Sequence, residues 1–269
     1  MVGPRYGRRG EEGPISGTTC TARRFPGRPA CGFPGRAACG LALALTVAQG
    51  GPGLTAIGPV RRHLFGGLAG YGDAGHVALT FDDGPDPRST PDFLDLLARR
   101  DAHATFFMLG SMTAAAPGLA AEVAAAGHEI AVHGWEHRYL TARGPRDTFR
   151  DLARARDTIA EATGQVPAYF RPPYGVLSGA ALVAARRLGL RPLLWTCWGR
   201  EWVQGATAGS VSGTLRRNLS GGGTVLLHDS DSTSPPGASR RALDAVPWLL
   251  DECARRGLAI GPAAEHGLL

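Results

Sequence analysis

Lysine is absent from this 269-residue chain; all 29 basic residues are arginine. The bias reads as the mark of a GC-rich genome rather than as selection for guanidinium chemistry. No two cysteines have CxxC spacing: Cys20, Cys31 and Cys39 lie near the start, Cys197 and Cys253 far behind them. That excludes a structural zinc ribbon and a dithiol redox motif, and the odd count of five argues against a disulfide-dependent fold. Cys197 stands in an apolar stretch and reads as a small buried residue. No repeat period is visible. The excess of positive charge is also not a property of the whole chain. Residues 1–36 hold seven Arg against two Glu, or +5 of the net +6, leaving about +1 for everything after. Nucleic acid is therefore not expected as a partner of the folded part.

The N-terminal region gives little structure. Residues 1–36 are rich in Gly, Pro, Arg and Thr without apolar periodicity, so disorder is expected there. Ala37–Ala48 is apolar for about a dozen residues, short of the ~20 that span a bilayer. It resembles a signal-peptide core, or a signal anchor if the apolar character continues to Val60. The other reading is an N-terminal helix that packs on the domain, or an over-long gene model. The expected division is a basic tail with an apolar segment over 1–57 and a folded domain over 58–269. Membrane association would run through residues 37–60. Secretion or anchoring and a cytoplasmic location stand equal, and a monomer is favoured.

What the chain does have begins at Thr80-Phe81-Asp82-Asp83-Gly84-Pro85. His76–Phe81 reads as a buried strand stopped by the Gly-Pro pair, which leaves two adjacent carboxylates at its C-terminal end. Carboxylates this close repel unless a cation or a basic partner compensates them. Candidates follow downstream: His133-Gly134-Trp135-Glu136-His137, then Arg171. One Asp can ligate a metal while its neighbour stays free as a base.

From residue 74 the pattern alternates. Strands are expected at His76–Phe81, Ala104–Met108, Glu129–Val132, Ala168–Arg171, Pro192–Thr196, Thr224–His228 and Gly257–Ile260. Helices are expected at Thr90–Arg100, Thr113–Ala126, Arg146–Thr163, Ser178–Leu188, Ala208–Leu219 and Arg240–Arg256. Thr90 would cap the first, and Gly127, Gly164, Gly189 and Gly257 follow helical stretches as C-terminal caps do. Such alternation means an α/β protein with parallel strands. Asp82, Asp83, His133, His137, Arg171, Glu201 and His228 all fall at or just past strand ends, which favours a barrel over an open sheet.

His133 and His137, four apart, share a face if the chain turns helical after the third strand. With one Asp they form a two-His, one-carboxylate set with open positions. Non-haem iron oxygenases use the same ligand types, but a second Asp and a His at the mouth have no use there. His103 and His128 read as structural, and His63, His76 and His266 have no evident partner. Glu136 reads as solvent-facing.

The segments TFDDGP, HGWEH, RPPY, WGREW and VLLHD, in this order, resemble the five motifs of the polysaccharide deacetylase family, carbohydrate esterase family 4, from about His76 to Gly261. The resemblance implies a distorted (β/α)7 barrel with its active site at the C-terminal strand ends. It also implies a metal-dependent hydrolase that removes acetyl groups from N-acetylated sugars such as chitin oligomers or peptidoglycan. Less commonly the substrate is O-acetylated, as in xylan. Asp83, His133 and His137 would hold the divalent metal, commonly zinc, with Co2+, Mn2+ or Ni2+ as alternatives. Asp82 would be the base, oriented by Arg171, and His228 the acid, tuned by Glu201. The Tyr174 N–H would stabilise the oxyanion, and Trp202 and Leu226 would line the acetyl pocket. The chain departs from the family pattern at Gly134, where Ser or Thr is usual, at Glu201, where Asp is usual, and at Trp198, where another Asp is usual. Glu201 is one methylene long, so its contact to His228 is expected to be displaced, and Glu201→Asp to preserve or raise activity. A carbohydrate-binding homologue with impaired catalysis is the rival that the altered fourth motif raises, and the intact Asp82, Arg171 and His228 speak against it.

Overall fold

The computed structural model describes residues 44–57 and 66–268. Eight parallel strands form one curled sheet: β1 His76–Asp82, β2 Thr105–Met108, β3 Glu129–Val132, β4 Tyr169–Phe170, β5 Arg191–Pro192, β6 Cys197–Trp198, β7 Thr224–His228 and β8 Ala259–Gly261. The order is β5-β4-β3-β2-β1-β7-β6. β7 runs along one edge of β1, while β8 and then β2 share the other. Helices surround the sheet: α1 Thr90–Arg99, α2 Gly110–Ala115, α3 Pro117–Ala125, α4 Pro145–Thr163, α5 Gly179–Arg187, α6 Ala208–Asn218 and α7 Ala238–Arg255.

All seven residues of β1 are buried, because helices cover one face and the barrel interior the other. Side chains alternate across a strand, and the alternation sorts them. Val77, Leu79 and Phe81 join Phe93, Phe106, Ile130, Val132, Phe170 and Leu227 in the layer beneath the helices. Phe107, Ala131, Tyr169 and Leu193 fill the interior. The inward phase brings Asp82 and His228, the last residues of β1 and β7, and His133 and Arg171, just past β3 and β4, to the rim.

The single strand expected at Pro192–Thr196 is instead two short ones, and this is where the barrel distorts. Leu193 N–H still donates to Phe170 O of β4 at 2.9 Å, but Thr196 N–H donates to Thr224 O of β7 at 3.0 Å. The segment thus leaves one edge of the sheet and joins the other. Pro192 costs the β4 ladder nothing, because its neighbours Arg191 and Leu193 supply the N–H groups that face β4. The helix expected over Thr113–Ala126 is likewise divided, because Ala116 is non-helical and Pro117 starts a new helix. Helix α1 starts one residue early, with Ser89 at its N-cap and Thr90 as its first residue. Thr90 Oγ1 instead accepts from Asp86 N–H at 2.8 Å and bonds the Asp229 carboxyl. The four glycines expected to end helices have left-handed φ values of 68 to 83°.

The expected tail and part of the apolar segment lie outside the described residues. Residues 44–50 are helical, and Gln49 fixes them to the domain: its Nε2 donates to Arg143 O at 3.3 Å and its Oε1 accepts from Ala180 N–H at 3.0 Å. Among the described residues, no helix is long and apolar enough to cross a membrane. Cys197 and Cys253 are buried and free; burial pushes the Cys197 thiol up to about 12, so it is unreactive.

Candidate active site

At the C-terminal rim of the sheet lies a cavity of about 300 Å3, walled by Asp82, His133, His137, Tyr174, Trp202, Leu226 and His228 among others. A larger apolar groove of about 640 Å3, between the 44–50 helix, α4 and α5, is remote from these groups and holds no acid–base pair.

The two carboxylates have different surroundings. Arg171, fully buried, donates through Nη1 to Asp82 Oδ1 at 2.6 Å and to Thr80 Oγ1 at 2.8 Å. Its Nε and Nη2 are occupied by Leu193 O at 3.1 Å and Leu194 O at 3.0 Å, and its guanidinium lies 3.9 Å over the Phe107 ring. Arg171 is therefore fixed at every polar atom, and it fixes Asp82 in turn. Asp82 Oδ2 stands 3.7 Å from His133 Nε2.

Asp83 adopts a φ of 80°, a left-handed conformation that carries ~1–3 kcal/mol of strain outside glycine. The following Gly84 admits no Cβ, because the Asp229 carboxylate occupies that space. The turn delivers Asp83 Oδ1 to within 3.5 Å of His133 Nε2 and 3.8 Å of His137 Nε2. The other oxygen, Oδ2, is bonded by Thr233 Oγ1. Burial raises the Asp83 carboxyl, but His228, His133, His137 and the Thr233 hydroxyl outweigh it and hold the group below its ordinary value.

The expected helical turn joining the two histidines is not present. Residues 133–139 form an irregular loop, and Gly134, at φ 90°, reverses the chain so that both imidazoles face Asp83. His133 Nδ1 lies 2.9 Å from Arg171 O, which can only accept, so Nδ1 carries the proton and Nε2 is left as the lone-pair donor. Burial, with His133 adding to it, holds His137 at about 4, hence neutral near pH 7. Asp83, His133 and His137 offer ligand atoms that lie within 4.8 Å of one another, and Asp83 Oδ1 is buried without a hydrogen-bond partner. A carboxylate oxygen orphaned between two imidazole nitrogens fits a divalent cation.

Opposite them, His228 Nδ1 meets Glu201 Oε1 at 2.7 Å, so the longer side chain does not displace the contact. Burial alone would lower His228, but the hydrogen bond and charge of Glu201, with Asp83 and Asp82 behind them, push it up to about 9. Trp202 packs edge-on against His228 at 5.1 Å between ring centroids. Tyr174, at φ 59°, is stacked on Tyr139 at 3.9 Å and meets His137 edge-on at 4.3 Å. All ten residues singled out in the sequence thus lie at or beside one cavity.

Residues 69–193 match the profile of the family described as polysaccharide deacetylase. The chitooligosaccharide deacetylase of Bradyrhizobium sp. (strain ANU 289) is 34% identical over 215 residues, which cover 75% of this chain and 96% of that protein. The chain belongs to the polysaccharide deacetylase family. The peptidoglycan-N-acetylglucosamine deacetylase PgdA of Listeria monocytogenes is 34% identical over 158 residues, 59% of this chain but only 33% of that longer protein. In three dimensions, the family 4 carbohydrate esterase of Streptomyces lividans, solved with acetate, superposes with a TM-score of 0.64 at 28% identity, over 72% of this chain and 97% of that one.

Within this polysaccharide deacetylase, sequence reasoning passed over four contributors. Thr80 Oγ1 accepts from the Arg171 Nη1 that also holds Asp82, Thr233 reaches the Asp83 carboxylate, and Tyr139 backs Tyr174. Asp151, in α4, accepts from Trp135 N–H at 3.0 Å and holds the histidine loop from behind. The inward phase of β1 could have identified Thr80; no sequence signal marks the others. Away from the site, His76 and His266 do have a partner, each other, with their Nδ1 atoms 2.9 Å apart. His128 is buried beside Phe106, and Glu136 pairs with Arg138 at 2.6 Å. His63 lies outside the described residues.

Proposed function

We propose that this enzyme hydrolyses the acetamide of N-acetylglucosamine units in chitin oligomers or peptidoglycan, leaving free amines on the polysaccharide and releasing acetate. The observation that carries the reading is the division of labour between neighbouring carboxylates: Asp82 is gripped through Oδ1 by Arg171, while Asp83 turns an unpaired oxygen to two imidazoles. A divalent ion held by Asp83, His133 and His137, of which zinc best matches the ligand set, would polarise the acetyl carbonyl and acidify a bound water.

The chain's own groups account for the proton transfers. Asp82 Oδ2, unlike Oδ1, is not engaged by Arg171, so it takes the proton of the attacking water. His228 is charged at neutral pH and has Nδ1 occupied by Glu201, so Nε2–H is the proton available to the departing amine. The Tyr174 N–H supports the oxyanion, and its strained backbone is held by the Tyr139 stack. Trp202 and Leu226 bound the space for one methyl group. Water is consumed, the C–N bond breaks, and acetate leaves beside a protonated amine.

Acetate release by the full chain tests this, on N-acetylglucosamine oligomers and on peptidoglycan, with added zinc or cobalt and with chelator. Metal-dependent release that vanishes in Asp82→Asn is the expected result. Release that survives in Asp82→Asn would overturn the assignment of the base. No release from either substrate by metal-loaded protein would overturn the substrate class.

A further inference from the structure

Thr233 lies five residues beyond His228, in a Ser-, Thr- and Pro-rich loop between β7 and α7 that has no regular structure. It is nevertheless tied down. Asp231 accepts from Gly237 N–H at 2.6 Å and Ser239 N–H at 2.7 Å, at the start of α7. Ser230 Oγ donates to Asp86 Oδ2 at 3.0 Å and accepts from Ser232 N–H at 3.0 Å, and Ser232 Oγ donates to the Asp83 carbonyl at 3.3 Å. The rigid loop therefore presents the Thr233 hydroxyl to Asp83 Oδ2. The ionised carboxylate can only accept, so the hydroxyl must donate.

Asp83 has two chemically equivalent oxygens, yet only Oδ1 is buried without a partner and faces both imidazoles. We infer that Thr233 is a positioning residue for the metal centre: its hydroxyl holds Asp83 Oδ2, and so fixes which oxygen the carboxylate presents to the ion and at what rotation. The inference rests on the reading of Asp83 as a metal ligand. Groups that orient a ligand in this way contribute roughly 10–100-fold to metal affinity. Because Thr233, Ser234 and Pro235 also line the cavity, the wall that faces the substrate is the segment that aims the ligand.

The test is a zinc titration of the full chain against a chromophoric chelator, in Thr233→Val and Thr233→Ser. Thr233→Val keeps the shape and removes the donor; Thr233→Ser keeps the donor. Circular dichroism and the melting temperature of the metal-free proteins establish that both are folded. Zinc affinity should fall roughly 10–100-fold in Thr233→Val and stay near the parent value in Thr233→Ser. Unchanged affinity in Thr233→Val overturns the inference, and so does an equal loss in both variants, which would trace the effect to packing rather than to the hydroxyl. A parent protein that holds no zinc overturns the inference together with the metal site. One that binds zinc but releases no acetate overturns only the proposed function.

Discussion

Replacing Glu201 by Gln keeps the side chain's length and removes its charge, which isolates what holds the proton on His228. In the folded protein that proton is retained up to about 9, against an ordinary 6.5, although burial opposes it. At 1.36 kcal/mol for each tenfold change, the preference for the imidazolium is ~3 kcal/mol, and Glu201 is its largest favourable source. Without that charge the buried ring should titrate at or below its ordinary value, and most of it would be neutral at pH 7.5. A ring at its ordinary 6.5 is about one-tenth protonated at that pH, so kcat/KM should fall by about tenfold or more, within the ~10²–10⁴-fold that general acid catalysis contributes. The pH profile is the sharper readout. The parent enzyme should lose activity as pH rises towards about 9, with a cation on Asp83 drawing that limb somewhat lower. In Glu201→Gln the same limb should shift downward by more than a pH unit, and the rate should recover partly in mildly acidic buffer. An unmoved limb would refute the assignment of His228 as the acid tuned by Glu201. The structure also reverses the expectation for Glu201→Asp. Shortening by one methylene withdraws the carboxylate by roughly 1.5 Å from a contact now at 2.7 Å. The limb should move in this variant as well, and a rate at or above the parent's would show that the loop carrying Glu201 can follow.

Asp82→Asn should retain zinc and lose turnover, whereas His133→Ala should lose both; equal metal loss in the two, measured by titration, would contradict the separate roles of Asp82 and Asp83. Arg171→Met strands Asp82 as a buried charge, at a cost of ~3–5 kcal/mol, so the melting temperature should drop by on the order of 10 °C. An unchanged melting curve would mean that Asp82 finds another partner. Gly134→Ala places a Cβ whose nearest neighbour is 3.4 Å away, so any destabilisation must come from φ 90° rather than from a clash. Several degrees of lowered melting temperature and weaker zinc binding are expected, and a neutral effect would show the loop to be relaxed with a side chain there. Because His137 is held at about 4, its imidazole stays a neutral ligand as pH falls and protonates only through that range. Zinc should accordingly be retained at pH 6 and lost as pH falls towards about 4; release already near 6.5 would contradict the buried setting of His137.

What could be read from the sequence follows a physical division. Asp82, His133, Arg171 and His228 were recognisable because each continues a short apolar strand whose period of two, once the strands are parallel and in register, sends alternate positions to the interior. Asp82 pairs in register with Phe107 on one side and His228 on the other, so finding the strands nearly amounted to finding the rim. The rest depends on how the chain closes upon itself. The split of residues 191–198 between β4 and β7 is decided by the circumference of the barrel, which no local run of residues encodes. The His133–His137 turn depends on a backbone angle at Gly134 that the spacing suggested only as a helix. Thr233 meets Asp83 across 150 residues and His76 meets His266 across 190, and loop closure over such separations leaves no periodic trace. The family profile ends at residue 193, ahead of Glu201, His228 and Thr233. Glu201 and Thr233 stand on loops, so the acid's environment and the aim of Asp83 are set by how the chain closes on itself rather than by the alternation along its strands.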